Sequence, residues 1–191
     1  MAEQHHYFFA VKLPYEVKSY LHRWVQMHEA EVPFKRWVHP EDYHITLAFL
    51  GFAEKEMLEK VIVQVGELLK NENAFELILD ELGTFGPSSS PRIFWAGVKM
   101  SDELMALQKK VYKLCIEAGF KLDKKPFKAH ITMARKWVSD QPFDKSKLTT
   151  LRNNEQDEIS FSVNEIALYE THLDQSPKYH EYALYQLKTI M

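Results

Sequence analysis

The chain has 191 residues, of which 46% are hydrophobic and 27% charged, with one cysteine and a formal net charge of −3. That composition supports a packed core and excludes wholesale disorder, while the acidic balance excludes a protein that grips a long duplex through many phosphates. Residues 1–6 are polar, no apolar run approaches a membrane span, and the lone Cys115 can close no internal disulfide, so a single cytoplasmic domain covering residues 1–191 is expected.

In chain order, a short apolar strand is predicted near 7–12. A helix follows, with Val17, Tyr20, Leu21, Trp24, Val25 and His28 at helical spacing. A strand over 43–50 precedes a second helix whose face carries Leu58, Val61, Ile62, Val65, Leu68 and Leu69. A strand near 75–82 leads into Gly83–Pro91, which reads as loop by composition. The next strand, 93–98, is followed by a helix through Leu104, Leu107, Val111, Leu114 and Ala118, with Ser101 or Asp102 as cap and Gly119 as stop. Cys115 lies on that apolar face and reads as core. A strand over 129–135, a short helix plus loop within 143–153, a strand over 159–169 and an edge strand over 179–188 complete the chain.

This order is written twice. Tyr7-Phe8-Phe9-Ala10 matches Ile93-Phe94-Trp95-Ala96, and His44-Ile45-Thr46-Leu47-Ala48 matches His130-Ile131-Thr132-Met133-Ala134, both at an offset of 86 residues. Phe75 and Phe161 open apolar runs, and Pro91 and Pro177 precede strand-like runs, at the same offset. The expectation is an α+β fold of two duplicated units about a pseudo-twofold axis. In it, two antiparallel-rich sheets face a central cleft with helices outside.

Strand alternation puts His44, Thr46 and Ala48 on one face and Ile45, Leu47 and Phe49 on the other. In the second copy His130, Thr132 and Ala134 share a face, opposite Ile131, Met133 and Arg135. Two imidazoles and two hydroxyls would then converge. Imidazoles titrate near neutrality and can take a proton at one atom while giving one at another. Hydroxyls can donate to non-bridging phosphate oxygens. The pair therefore suits metal-independent phosphodiester chemistry; a structural role for both histidines is the alternative. No common zinc signature surrounds them, and neither metal nor cofactor is expected.

The strings His44-Ile-Thr-Leu-Ala-Phe-Leu-Gly51, Pro91-Arg-Ile-Phe-Trp-Ala-Gly97 and His130-Ile-Thr-Met-Ala-Arg135 resemble the 2H phosphoesterases, and within them the RNA 2′,3′-cyclic phosphodiesterases often labelled 2′-5′ RNA ligases. The resemblance runs from the first strand to about residue 187. It implies a bilobal fold and hydrolysis of a terminal 2′,3′-cyclic phosphate, on an RNA 3′ end or a small nucleotide, to a 2′-phosphate. It also implies His44 as proton donor to the leaving 3′ oxygen, His130 as the base that activates water, and Thr46 and Thr132 as phosphate ligands. Met133, where leucine is frequent, and Lys128-Ala129, where many members have proline beside the histidine, depart from the pattern.

Arg135 ends the second motif. Alternation turns it from His130, and a bulge would be needed to bring it to a phosphate. Lys121, Lys124, Lys125, Lys128, Arg135 and Lys136 form a basic stretch that could steer an anion. Arg92 is a further candidate phosphate or base contact, and Trp37, Phe52 and Phe85 are candidate stacking residues that read equally as core. His5, His6, His22, His28, His39, His172 and His180 have no partner at the repeat offset and read as surface or packing residues. A non-catalytic nucleotide-binding module, a 2′-5′ ligase and a small-molecule cyclic phosphodiesterase remain as alternatives.

Overall fold

The structure is a computed structural model and describes residues 5–146, 148 and 158–189. Most of the short helix expected within 143–153 lies outside the described residues. Among the described residues three long α-helices, α1 (Tyr15–His28), α2 (Lys55–Leu69) and α3 (Asp102–Glu117), are interleaved with nine strands. The strands are β1 (His6–Lys12), β2 (Phe34–Trp37), β3 (His44–Phe52), β4 (Phe75–Phe85), β5 (Ile93–Val98), β6 (His130–Trp137), β7 (Ser160–Val163), β8 (Glu165–Thr171) and β9 (Tyr179–Gln186). Among the described residues no helix is long and apolar enough to cross a membrane.

The helices form where the apolar spacing places them. Val17, Leu21, Trp24 and Val25 bury one face of α1, and Leu58, Val61, Val65 and Leu69 bury one face of α2. Ser101 caps α3 by accepting from the Leu104 amide at 3.1 Å, and Gly119 ends it with φ +108°. Cys115 is fully buried on this helix, and burial pushes its thiol up to about 12.

All strand pairings within the sheet are antiparallel, in the order β7-β4-β5-β6-β3-β1-β8-β9, with β2 added to β6. The expectation of two separate sheets is corrected: the strands join in one path, although the two halves meet through a single residue pair, Ile45 opposite Ile131. That pair relates the two copies at their offset of 86. The final strand of each copy is exchanged: β4 lies on β5, and β8 lies on β1. β9 pairs with β8 at the sheet edge, as its sequence predicts.

The loop expected to begin at Gly83 begins later, because β4 continues to Phe85. Gly83 pairs with Trp95, whose indole lies over the space that a Cβ at residue 83 would occupy. The glycine here serves close packing within a strand rather than a turn.

Candidate active site

His44 opens β3 and His130 opens β6, each following a carbonyl to which its ring is tied. His44 donates from Nδ1 to the Asp42 carbonyl at 2.7 Å, and His130 donates from Nδ1 to the Lys128 carbonyl at 2.7 Å. A carbonyl only accepts, so both rings carry their proton on Nδ1 when neutral and present Nε2 as the reactive nitrogen. At His44 that nitrogen receives the Thr46 hydroxyl at 3.0 Å. Both threonines are half-buried beside their histidines.

Alternation holds as far as Thr46 and Thr132 and then breaks in both strands. In the β1–β3 pairing Phe9 faces Ala48 and Ala10 faces Thr46, so Leu47 is an extra residue. In the β5–β6 pairing Phe94 faces Ala134 and Trp95 faces Thr132, so Met133 is extra. Leu47 and Ala48 are consecutively buried, as are Met133 and Ala134. Each bulge reverses the facing of the residues after it in the strand. It turns Arg135 and its counterpart Phe49 onto the histidine face, where alternation alone had put neither. Each bulged carbonyl is held from outside the pairing. Gln108 of α3, itself buried, donates to Leu47 O at 3.2 Å, and the Val38 amide donates to Met133 O at 2.9 Å. Just past Arg135, Lys136 adopts φ +67°, a conformation rare for a residue with a side chain.

Aromatic rings wall both imidazoles. Phe8 lies 4.7 Å from the His44 ring centroid, and Tyr179 meets it edge-on at 5.2 Å; Phe85 meets His130 edge-on at 4.9 Å. Tyr179 is positioned by Asp42, whose buried carboxylate accepts from the Lys178 and Tyr179 amides at 2.9–3.0 Å. Burial raises the Tyr179 phenol, and the charge of the nearby Arg135 guanidinium works against that rise. Lys128 holds its ammonium 4.2 Å from the Trp95 ring centroid.

This setting disfavours cationic imidazole. Burial pushes His44 down to about 4, and charge from His130, Arg135 and Lys18 adds to it against the opposing Asp42 hydrogen bond. His130 is lowered chiefly by burial, with Arg135 and Lys128 contributing. In the free protein both rings are therefore neutral at pH 7, inside a positive field suited to an anion.

Two hollows border the site, the first reaching His130 and Thr46 and the second reaching Arg135 and Tyr179. One of about 400 Å³ is bordered by Thr46, Phe49, Tyr112, Lys121, Lys128 and His130; one of about 240 Å³ by Arg36, Trp37, Asp42, Arg135, Lys178 and Tyr179. Roomier hollows of about 770 and 570 Å³ lie elsewhere and contain no histidine. The structure thus gathers His44, Thr46, His130, Thr132 and Arg135 on one face. It leaves Arg92 on an exposed turn, where its main chain accepts from the Lys136 amide at 2.9 Å and no described side-chain contact joins it to the pair. Phe8, Phe49, Tyr169 and Tyr179 escaped sequence reasoning; the equivalence of Phe49 with Arg135 at offset 86 was the available signal for one of them.

The sequence profile of the 2′-5′ RNA ligase superfamily matches residues 18–175. The chain belongs to that superfamily. Its 2H phosphoesterase resemblance is therefore established over most of its length. An RNA 2′,3′-cyclic phosphodiesterase of Geobacillus stearothermophilus is 42% identical over 182 residues, covering 95% of this chain; the chain spans 57% of that relative's length. A Bacillus subtilis protein of the same name is 31% identical over 95% of this chain and 96% of its own. Among solved structures of the superfamily fold, Escherichia coli LigT complexed with 3′-AMP superposes with a TM-score of 0.77 at 25% identity, over 97% of this chain and 99% of that one.

Proposed function

We propose that this superfamily member is an RNA 2′,3′-cyclic phosphodiesterase that hydrolyses a terminal cyclic phosphate to a 2′-phosphate without a metal ion. The observation that carries the reading is the matched pair of imidazoles. Each is fixed through Nδ1 and presents Nε2, that of His44 receiving the Thr46 hydroxyl, with Arg135 brought to the same face by a bulge. The names of the relatives support the substrate class.

In the proposed reaction water attacks phosphorus and gives its proton to His130 Nε2. The bond from phosphorus to the 3′ oxygen breaks, and His44 Nε2 delivers a proton to that oxygen, leaving a 3′ hydroxyl and a 2′-phosphate. Thr46, Thr132 and Arg135 donate to the non-bridging oxygens, where charge accumulates. The division of labour between the histidines follows the resemblance. His44 is the more depressed of the two when free, so it acquires its proton as the anionic phosphate enters and offsets the surrounding positive charge. With an RNA 5′ hydroxyl in place of water as the nucleophile, the same residues would open the cyclic phosphate into a 2′-5′ linkage and a 3′ hydroxyl, and we take that as a secondary capacity.

We further propose that the whole chain works as one bilobal unit about a pseudo-twofold axis passing near the Ile45–Ile131 pair, a reading supported by the exchange of β4 and β8 between copies. Incubating the protein in EDTA with a short RNA ending in a 2′,3′-cyclic phosphate tests the function. The expected product is a phosphatase-sensitive 2′-phosphate that a 3′-phosphate-specific enzyme leaves intact. A 3′-phosphate product, or turnover only with added divalent metal, would overturn it.

A further inference from the structure

The face of the sheet turned away from His44 carries a second cluster of chemistry. Phe8, Tyr169 and Tyr179 line His44, so their chain neighbours Tyr7, Glu170 and His180 point to the opposite side. Tyr7 pairs with Glu170 across β1 and β8, and continuing that antiparallel register by two residues sets His5 against His172. β9 places His180 opposite Glu170. One ligand atom from each of His5, Glu170 and His172 lies within 4.8 Å of the other two. The His172 ring centroid is 4.4 Å from that of His5 and 4.3 Å from that of His180. The His172 and Glu170 side chains are only 16% and 19% exposed, so this is a walled site and not a chance meeting of mobile surface groups.

The surrounding hydrogen bonds orient the same three groups. Tyr7 donates its hydroxyl to Glu170 Oε1 at 2.6 Å, leaving Oε2 turned toward His172 Nε2 at 2.9 Å. His5 donates from Nδ1 to the Thr171 carbonyl at 3.0 Å, which makes Nε2 its ligating nitrogen. An imidazole tied by its second nitrogen to a carbonyl, and a carboxylate tied by its second oxygen to a hydroxyl, is the outer arrangement that metal ligands adopt. Two histidines and one glutamate are a ligand set that zinc accepts.

We propose that His5, Glu170 and His172 bind one divalent transition-metal ion of the zinc class, with His180 bordering the remaining coordination position. Bonds of about 2.0–2.2 Å to a tetrahedral ion set its ligand atoms about 3.4 Å apart. The ion therefore replaces the proton between His172 and Glu170 and spreads that 2.9 Å pair slightly, with His5 within 4.8 Å to complete the set. Its role is structural. It fastens the chain at the entry to β1 onto the β8–β9 hairpin, which carries Tyr179 on its other face, and it lies outside the cyclic-phosphate chemistry. Metal binding at this cluster is independent of the proposed function, and the hydrolysis assay in EDTA does not depend on the ion.

The test uses the full chain without an affinity tag, stripped with a chelator that is then removed. Co²⁺ is titrated while visible absorption is followed, Zn²⁺ is added to displace it, and affinity is read by competition with a chelating indicator. We expect saturation at one equivalent, displacement by Zn²⁺, and a thermal midpoint that rises with Zn²⁺. Glu170→Gln and His172→Ala should each weaken binding at least tenfold and abolish the thermal shift. His5→Ala, which lies before β1 and outside any strand, keeps the measurement decisive should a strand substitution fail to fold. Absence of a saturable cobalt signal, or binding unchanged in His5→Ala and Glu170→Gln, would overturn the assignment.

Discussion

Replacing His44 by glutamine should flatten part of the acid dependence of stability. The folded ring titrates near 4 because it is buried among Phe8, Tyr169 and Tyr179, whereas in the unfolded chain it returns to about 6.5. Between those values the unfolded state binds the proton and the folded state does not. The stability His44 contributes is therefore full above about pH 6.5, falls as pH drops through the window, and stops falling below about pH 4. For these two values the loss between pH 8 and pH 5 is about 2 kcal/mol. Glutamine does not titrate. Urea unfolding of wild type and His44→Gln at both pH values should show the difference in unfolding free energy, wild type minus variant, decreasing by about 2 kcal/mol on going to pH 5. Effects of titrating groups that do not interact with His44 cancel in that comparison. A difference that stays constant across the range would refute the buried, neutral imidazole and the positive field inferred around it.

Other outcomes rest on the same geometry. Arg135→Ala should lower kcat/KM on a cyclic-phosphate RNA by about 10- to 100-fold, the scale of a lost hydrogen bond to a charged group, with Arg135→Lys recovering part; a change under twofold would remove Arg135 from the site. Gln108→Leu should leave the Leu47 carbonyl without its donor, costing about 1–3 kcal/mol in urea unfolding, and should lower kcat by loosening the bulge just past Thr46. Asp42→Ala frees the Lys178 and Tyr179 amides, so it should destabilise the fold by a similar amount and raise the B-factors or amide exchange of that turn. Because the substrate is an anion, both limbs of the kcat profile should lie at higher pH than those of kcat/KM, and the latter should lie below the usual imidazole range.

How much of the fold and site was legible depended on whether the chemistry stayed in simple period. Most strands and helices, the Ser101 cap and the placement of both His-x-Thr pairs could be read because each is a local pattern, whereas β2 was not foreseen and the one strand expected over 159–169 is two, β7 and β8. Arg135 and Phe49 could not be placed by period, since one extra residue in each strand reverses parity and nothing in Leu47 or Met133 announces a bulge. The bulges are specified non-locally, by Gln108 from α3 and the amide of Val38. Tyr179 and Asp42 are 137 residues apart and meet only through the folded β9 edge. Composition misled at Gly83, where glycine serves the Trp95 ring and not a turn. The exchange of β4 and β8 between the copies likewise leaves no trace in either copy's own sequence.

Single-turnover kinetics on an RNA ending in a 2′,3′-cyclic phosphate, for wild type, His44→Ala, His130→Ala and the double variant in EDTA, test the two-histidine mechanism most directly. Loss of about 10²- to 10⁴-fold in each single variant, with little further loss in the double variant and with circular dichroism unchanged, is the predicted result. Either single variant retaining activity within threefold of wild type would contradict it.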